Sequence, residues 1–350
     1  IATGPAFVLT RPSLRAVGNA AGPLRSVQRT LGTTMTAIDW QPTVRGAGAA
    51  PYSFARLHSR DVDEHAARLS AWDQVYEQLT PGPFEGSLVE VLFGGIQLFR
   101  EATSQVVHES GSGRAGAYMF GVPVASEVEG YHGGRPIHRQ SVIVLRDGQE
   151  LDLRAPPKLD LVAVSMPVDD LGRYAREIEG RDIERELRGV RVVSPPPERV
   201  ERFRRLLLMA LESITYNPEK LQHAAMQKAL GHAIFAGVLD MLGPDCDRVG
   251  GNAPTRSHSI VSRAQDHMRL HVEDPLTIED LCRHLGVSRR TLQYSFREVL
   301  RVNPVSYLRA LRLNGVRRAL KAADRQCGSV QDIAARWGFW HLSHFASDYR

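Results

Sequence analysis

The sequence predicts an α+β chain, with a β-rich barrel- or sandwich-like domain and flanking helices placed ahead of an all-α domain of two helix-turn-helix units. Three observations predict it. Short β runs separated by turn residues fill Gly86 to Ser165. Long helical periodicities follow Pro167. Between Thr277 and Tyr349 a helix, a Gly turn and a second helix occur twice.

Residues 1–50 are rich in Ala, Gly, Pro, Thr and Arg, with one acid, Asp39, and five arginines. No apolar period persists there, so a disordered tail is expected, with Met35 as a plausible true start. Val62, His65, Ala66, Leu69, Trp72, Tyr76 and Leu79 recur at three- and four-residue steps. This spacing predicts an amphipathic helix that Pro81-Gly82-Pro83 ends. Leu88–Phe93 and Ile96–Thr103 flank Gly94-Gly95 and predict a hairpin. Gln105–His108, Ala117–Val122, Ser141–Leu145, Glu150–Leu153 and Leu159–Ser165 read as further strands. Glu198–Thr215 and Glu219–Leu242 carry apolar stripes suited to packing on the β domain or to pairing two chains. Gly243–Thr255 is rich in Gly, Pro and Asp and reads as a linker.

The carboxyl-terminal pattern is the most specific. Thr277 with Asp280, and Ser329 with Asp332, have capping-box spacing. Gly286 and Gly338 supply the turns, and Asn303-Pro304 starts a spacer helix running to about Lys321. At ~1.5 Å per residue that helix is long enough to set two reading heads about one DNA turn apart.

Charge placement agrees. Arg256–Arg350 holds 16 Lys+Arg against 9 Asp+Glu, leaving the rest of this +5 chain slightly acidic. A basic domain on an acidic one suits a polyanion partner. No apolar run approaches the roughly 20 residues that cross a bilayer, so no membrane partner is expected. Cys246, Cys282 and Cys327 are too far apart for a disulfide framework or a zinc site, which suits a reducing, cytoplasmic setting. His132 and His138 lack the close spacing of a metal-binding β-barrel enzyme, and no metal is expected.

Ile333-Ala334, Gly338-Phe339, Ser343, Phe345 and Tyr349 resemble the signature of the AraC-type DNA-binding domain. The resemblance covers about Ile260 to Arg350. Val287–Gln293 and Trp337–Leu342 look like its two reading regions. Ala71-Trp72, Gln78-Leu79, Pro81-Gly82 and Ile96–Glu101 are similar to regulators of ethanolamine utilisation within that family. The resemblance implies a transcription regulator, an activator of a catabolic operon working with RNA polymerase, and a possible homodimer. It also implies ethanolamine as effector, together with adenosylcobalamin. Family members continue past the last helix with a Gly- and Pro-containing segment, whereas the sequence given stops at Arg350, so a loosely packed last helix is expected.

The expected organisation is a tail at 1–50 and an effector-sensing β domain at 51–195. A helical linker and dimerisation region at 196–245 and a DNA-binding domain at 256–350 complete it. Arg290, Gln293 and Tyr294 are expected to read double-stranded DNA from the first unit, and Ser343, His344 and Ser347 from the second. Arg with guanine and Gln with adenine form bidentate pairs. Arg289, Arg297, Arg301 and Arg312 are candidate phosphate contacts, although each would serve equally on a solvated helix face. Trp72, Glu90, Glu101 and Tyr118 are effector candidates, because a small cation seeks a carboxylate or an aromatic face; core packing would use them as readily. Trp337, Phe339 and Phe345 are read as core. A DNA-alkylation repair enzyme carrying the same DNA-binding domain is the competing reading, but it needs a reactive cysteine in a basic setting that none of the three shows. The chain is therefore expected not to be an enzyme.

Overall fold

The computed structural model describes residues 40–41, 51–125, 129–250, 255–323 and 329–349. The expectations for residues 1–39 and 42–50, for 251–254 of the linker, for Cys327, and for the side chains of Ser343 and His344 lie outside it.

The strands in chain order are β1 (Trp40–Gln41), β2 (Tyr52–Ser59), β3 (Asp73–Gln78), β4 (Gly86–Phe93), β5 (Ile96–Thr103), β6 (Val107–Ser112) and β7 (Ala117–Ala125). Then come β8 (Gly130–His132), β9 (Arg135–Ile137), β10 (Val142–Arg146), β11 (Glu150–Ala155), β12 (Leu159–Pro167), β13 (Val190–Ser194) and β14 (Asp247–Gly250). They form an antiparallel nine-stranded sheet, β1-β2-β4-β5-β12-β7-β10-β13-β14, and a five-stranded sheet, β3-β6-β11-β8-β9. The Tyr76 hydroxyl of the small sheet donates to Glu101 of the large one at 2.8 Å, so the sheets face each other as a sandwich.

The other face of the large sheet carries helices α2 (Val168–Glu179), α3 (Ile183–Glu186), α4 (Pro197–Tyr216) and α5 (Ala224–Met241), after a short α1 (Val62–Ala66). One core joins Val91, Leu98, Phe120, Val144 and Val164 of the strands to Phe203, Leu207 and Ile214 of α4 and Ile234 and Val238 of α5. The apolar stripes of α4 and α5 are thus largely spent on the sheet. At ~25 cal/mol per Å², burying each such side chain contributes about 1.5–3 kcal/mol. The helices α6 (Arg256–Leu270), α7 (Ile278–Leu285), α8 (Arg289–Leu300), α9 (Pro304–Ala322), α10 (Val330–Arg336) and α11 (Leu342–Tyr349) form the all-α part.

Three expectations are corrected. The helix expected over residues 62–79 ends at Ala66, and Asp73–Gln78 is strand β3. Six register pairs with β6 satisfy that backbone, and Trp72 anchors its start through an Nε1 bond to Gln97 at 3.0 Å. The three- and four-residue spacing reflected burial in a turn followed by a strand rather than one helical face. The linker expected over 243–255 contains β14, which pairs with β13 and ties residues 247–250 to the large sheet. Within the expected tail, Trp40 and Gln41 pair with Ala55 and Phe54.

Candidate nucleic-acid interface and inter-sheet cluster

The first helix-turn-helix unit is built from local signals. The Thr277 side chain accepts from the Asp280 backbone N–H, and the Asp280 carboxylate accepts from that of Thr277, closing the capping box of α7. Gly286 then takes φ 66°, a left-handed conformation that side chains resist, so α7 stops and the chain turns. Ser288 caps α8 through the Thr291 N–H. Leu281, Leu285, Leu292, Phe296 and Val299 close over Val261 and Met268 of α6 and Tyr307 and Leu311 of α9. With that face buried, Arg289, Arg290, Tyr294 and Arg297 are left exposed, and Gln293 half-buried, on the other.

The second unit repeats the device. Ser329 and Asp332 form the capping box of α10, and Ile333, Ala334 and Phe345 pack with Val316 of α9. Trp337 and Phe339 also pack against this core. Gly315 in α9 leaves the notch for Trp337, since a Cβ there would overlap the indole ring. Trp340 is 81% exposed. Ser347 is exposed and lines a crevice shared with Asp61, Arg309, Arg317 and the Pro81–Phe84 loop.

Two of the candidate phosphate arginines make contacts within the protein. Arg312 donates to the carbonyls of Val272 (3.3 Å) and Asp274 (2.8 Å), so it fastens the α6–α7 loop instead of facing a phosphate. Arg301 donates to the Tyr131 hydroxyl at 2.5 Å, with its guanidinium 5.0 Å from that ring centroid. Arg312 is satisfied by those carbonyls, whereas Arg301 gives only its Nε to Tyr131 and stays 56% exposed, so that contact does not remove it from the phosphate candidates.

The effector candidates divide. Trp72, Glu90 and Glu101 share the space between the sheets. Trp72 donates to Gln97, and Gln97 donates to Glu90 at 2.5 Å. Ser70 also donates to Glu90, from its hydroxyl at 2.7 Å. Glu101 takes the Tyr76 hydroxyl at 2.8 Å and His65 Nε2 at 3.0 Å. Tyr118 is the correction. It pairs with Met166, one residue out of step with the Ser165–Gln97 pair, so it lies on the opposite face, in the core shared with the helices, with the Arg146 guanidinium over its ring.

Sequence reasoning missed Glu109, which faces Tyr76 across the β3–β6 pairing. It is 3% exposed and its Oε1 has no hydrogen-bond partner. Burial first, and then the nearby Glu101 charge, push its carboxyl well above the usual range. Only the fold brings these two carboxylates together; no spacing in the sequence marks them.

Also missed was the contact between the two parts. Asp152 of β11 accepts from His108 Nε2 and His258 Nε2, each at 2.8 Å. Burial raises its carboxyl, but hydrogen bonds from both histidines more than offset this and hold it below the ordinary value. His132 is fully buried, and chiefly for that reason its imidazole is lowered to about 4. Among the described residues, no cluster of three or more His, Cys, Asp or Glu side chains could hold a metal ion. Burial pushes the Cys246 thiol up to about 11 and also raises that of Cys282, the reverse of what activates a nucleophile. No helix among the described residues is long and apolar enough to cross a membrane.

Residues 281–350 match the family model described as a helix-turn-helix domain. A probable thc operon regulatory protein of Rhodococcus erythropolis is 38% identical over 91 residues, covering 26% of this chain and 27% of that protein. The HTH-type transcriptional regulator ArgR of Pseudomonas aeruginosa is 31% identical over 144 residues, covering 41% of each. The XylDLEGF operon transcriptional activator of Pseudomonas putida is 25% identical over 125 residues, covering 36% of this chain and 38% of that one. The matched segments span less than half the length of each relative. ToxT of Vibrio cholerae, solved with (E)-4-(8-methylnaphthalen-1-yl)but-3-enoic acid, aligns over 85% of this chain and 93% of that one, with TM-score 0.27 and 10% identity. The two capped units and the family match together make the carboxyl-terminal segment a helix-turn-helix domain, similar to segments of proteins named as transcription regulators.

Proposed function

We propose that the chain is an effector-responsive transcription regulator that activates a catabolic operon, reading double-stranded DNA through residues 256–350. The observation that carries this reading is α8. One face of it is buried in a capped unit, while Arg289, Arg290, Tyr294 and Arg297 stand exposed on the other with Gln293 beside them. Such a face enters a major groove, with Arg290 and Gln293 at base edges and Arg289 and Arg297 at phosphates. Ser343, His344 and Ser347 of α11 form the second reading helix. The test is selection of a duplex from a random pool, followed by titration against a scrambled control.

The effector is a small organic cation, with ethanolamine as the leading candidate. Glu101, which takes the Tyr76 hydroxyl, and Glu109, which pairs with Tyr76 across β3–β6, lie between the sheets, and an ammonium group would complete them. Glu90 and Trp72 form the neighbouring wall. The clefts of about 500 and 570 Å³ are lined by other residues than Trp72, Glu90 and Glu101, so they lend no support to adenosylcobalamin as a second effector. A repair enzyme is disfavoured by the raised thiols of Cys246 and Cys282. We assign RNA polymerase as the protein partner. A dimer would form through the exposed side of α4, where Met209 and Tyr216 are 62% and 76% exposed. Sedimentation of the full chain tests that contact.

A further inference from the structure

The last turns of α9 carry Arg317, Arg318 and Lys321, which lie on neighbouring positions of one helix face. Each meets a carboxylate of the β domain. Arg317 pairs with Asp61 and, at 2.6 Å, with Asp63. Arg318 reaches Asp63 and Glu77, both at 2.9 Å, and donates to the Tyr76 carbonyl at 3.2 Å. Lys321 pairs with Asp61 at 2.5 Å.

These carboxylates are closely held. Asp61 caps α1 through the Asp63 and Glu64 N–H groups, which fixes its position at the start of that helix. Glu77 is 4% exposed, and its Oε2 has no hydrogen-bond partner. The cations are more accessible, with side chains 20%, 37% and 54% exposed in chain order. Asp61 and Arg317 also line the crevice that contains Ser347 of the second reading helix.

We propose that Arg317, Arg318 and Lys321 form a further DNA-backbone site, continuous with the second reading helix, that Asp61, Asp63 and Glu77 occupy in place of phosphates. Guanidinium groups engage carboxylates and phosphates with the same fork of donors, so one surface serves either partner. The β domain then competes with the duplex for these three cations. Binding to the backbone releases condensed counterions, a gain that the intramolecular pairs lack. The acidic cluster therefore opposes DNA binding most when salt is low, where the forfeited counterion release is largest. A change in the β domain that moves α1 or β3 would uncover all three cations at once.

This inference rests on the DNA-binding reading above, and its test separates the two. Full-length wild type, Asp63→Asn and the Asp61→Asn, Asp63→Asn pair are titrated with a selected duplex and a scrambled one from 50 to 300 mM KCl. Asn keeps the helix cap at position 61. Freed cations should tighten binding of both duplexes about tenfold at low salt. The pair leaves Arg317 and Lys321 without a carboxylate and should steepen the slope of log K against log salt by roughly two, since each added phosphate contact contributes about 0.9, whereas Asp63→Asn alone, after which Arg317 keeps Asp61 and Arg318 keeps Glu77, should change it little. Adding Arg317→Ala and Lys321→Ala to the pair should restore the wild-type slope. An unchanged slope for the pair, or weaker binding by the folded pair, overturns the site and leaves these ion pairs as a contact within the protein only. A wild type that does not distinguish the two duplexes overturns sequence reading instead, while the slopes still decide the site.

Discussion

His258 of α6 donates through Nε2 to Oδ2 of Asp152 on β11 at 2.8 Å, so the all-α part is hydrogen-bonded to the outer face of the five-stranded sheet. The other Asp152 oxygen takes His108, whose Nδ1 faces the Tyr307 hydroxyl of α9 at 3.1 Å. One carboxylate thereby fixes two helices at once. Replacing it by Asn leaves one oxygen and removes the charge that both imidazoles engage. Asp152→Asn should lower unfolding stability by about 2–3 kcal/mol. Urea titration checks this, and a change below about half a kcal/mol would show that the pair contributes little.

Arg312 gives a sharper separation of roles. Its donors are taken by the Val272 and Asp274 carbonyls. Arg312→Ala should cost about 1–2 kcal/mol of stability and leave the salt slope of DNA binding unchanged. A slope reduced by about one would return this residue to the phosphate contacts.

His132 sets an acid limit. Its folded-state pKa of about 4 lies below the ordinary imidazole value of 6.5. Unfolded chain therefore takes up a proton between pH 6.5 and 4 while folded chain does not, and stability falls as pH falls through that window. The loss should approach roughly 3 kcal/mol at pH 4. His132→Phe, if it folds, should flatten that part of the pH profile; an unchanged profile would assign the acid sensitivity elsewhere.

Glu109 acts in the opposite sense. Its carboxyl is raised, so folded chain holds its proton above the unfolded value of about 4.5, and stability declines as pH rises. Glu109→Gln should therefore stabilise the chain more at pH 8 than at pH 4.5. If an ammonium effector binds beside it, ionisation of Glu109 should release up to about one proton. Calorimetry of ethanolamine in two buffers of different ionisation enthalpy reads that proton directly. Binding with no buffer dependence would place the amine away from Glu109.

What the sequence made legible was local. The capping boxes at Thr277 and Ser329, the Gly286 turn and the Gly94-Gly95 hairpin each lie within a few residues, and each formed as read. Glu90 and Glu101 share a face through the β4–β5 pairing, whereas Trp72, read into a helix, joins them through Gln97, a contact that no local pattern marks. Tyr118 was misplaced because a run of apolar and aromatic residues from Ala117 to Val122 hides which face is which. Helical spacing at residues 62–79 misled because Leu69 and Trp72 are held by a turn and by Gln97, not by a helix. The pairs Asp152–His258 and Asp63–Arg318 join residues more than a hundred positions apart, and no local signal encodes them.

The central claim is that α8 reads bases. The most direct measurement is the affinity of full-length wild type, Arg290→Ala and Gln293→Ala for a selected duplex, for single-base variants of it, and for a scrambled control at fixed salt. Each substitution should remove roughly 1–3 kcal/mol of discrimination at one or two particular base pairs, and change affinity for the scrambled duplex far less. Equal losses on selected and scrambled DNA would contradict base reading and leave Arg290 and Gln293 on a merely solvated helix face.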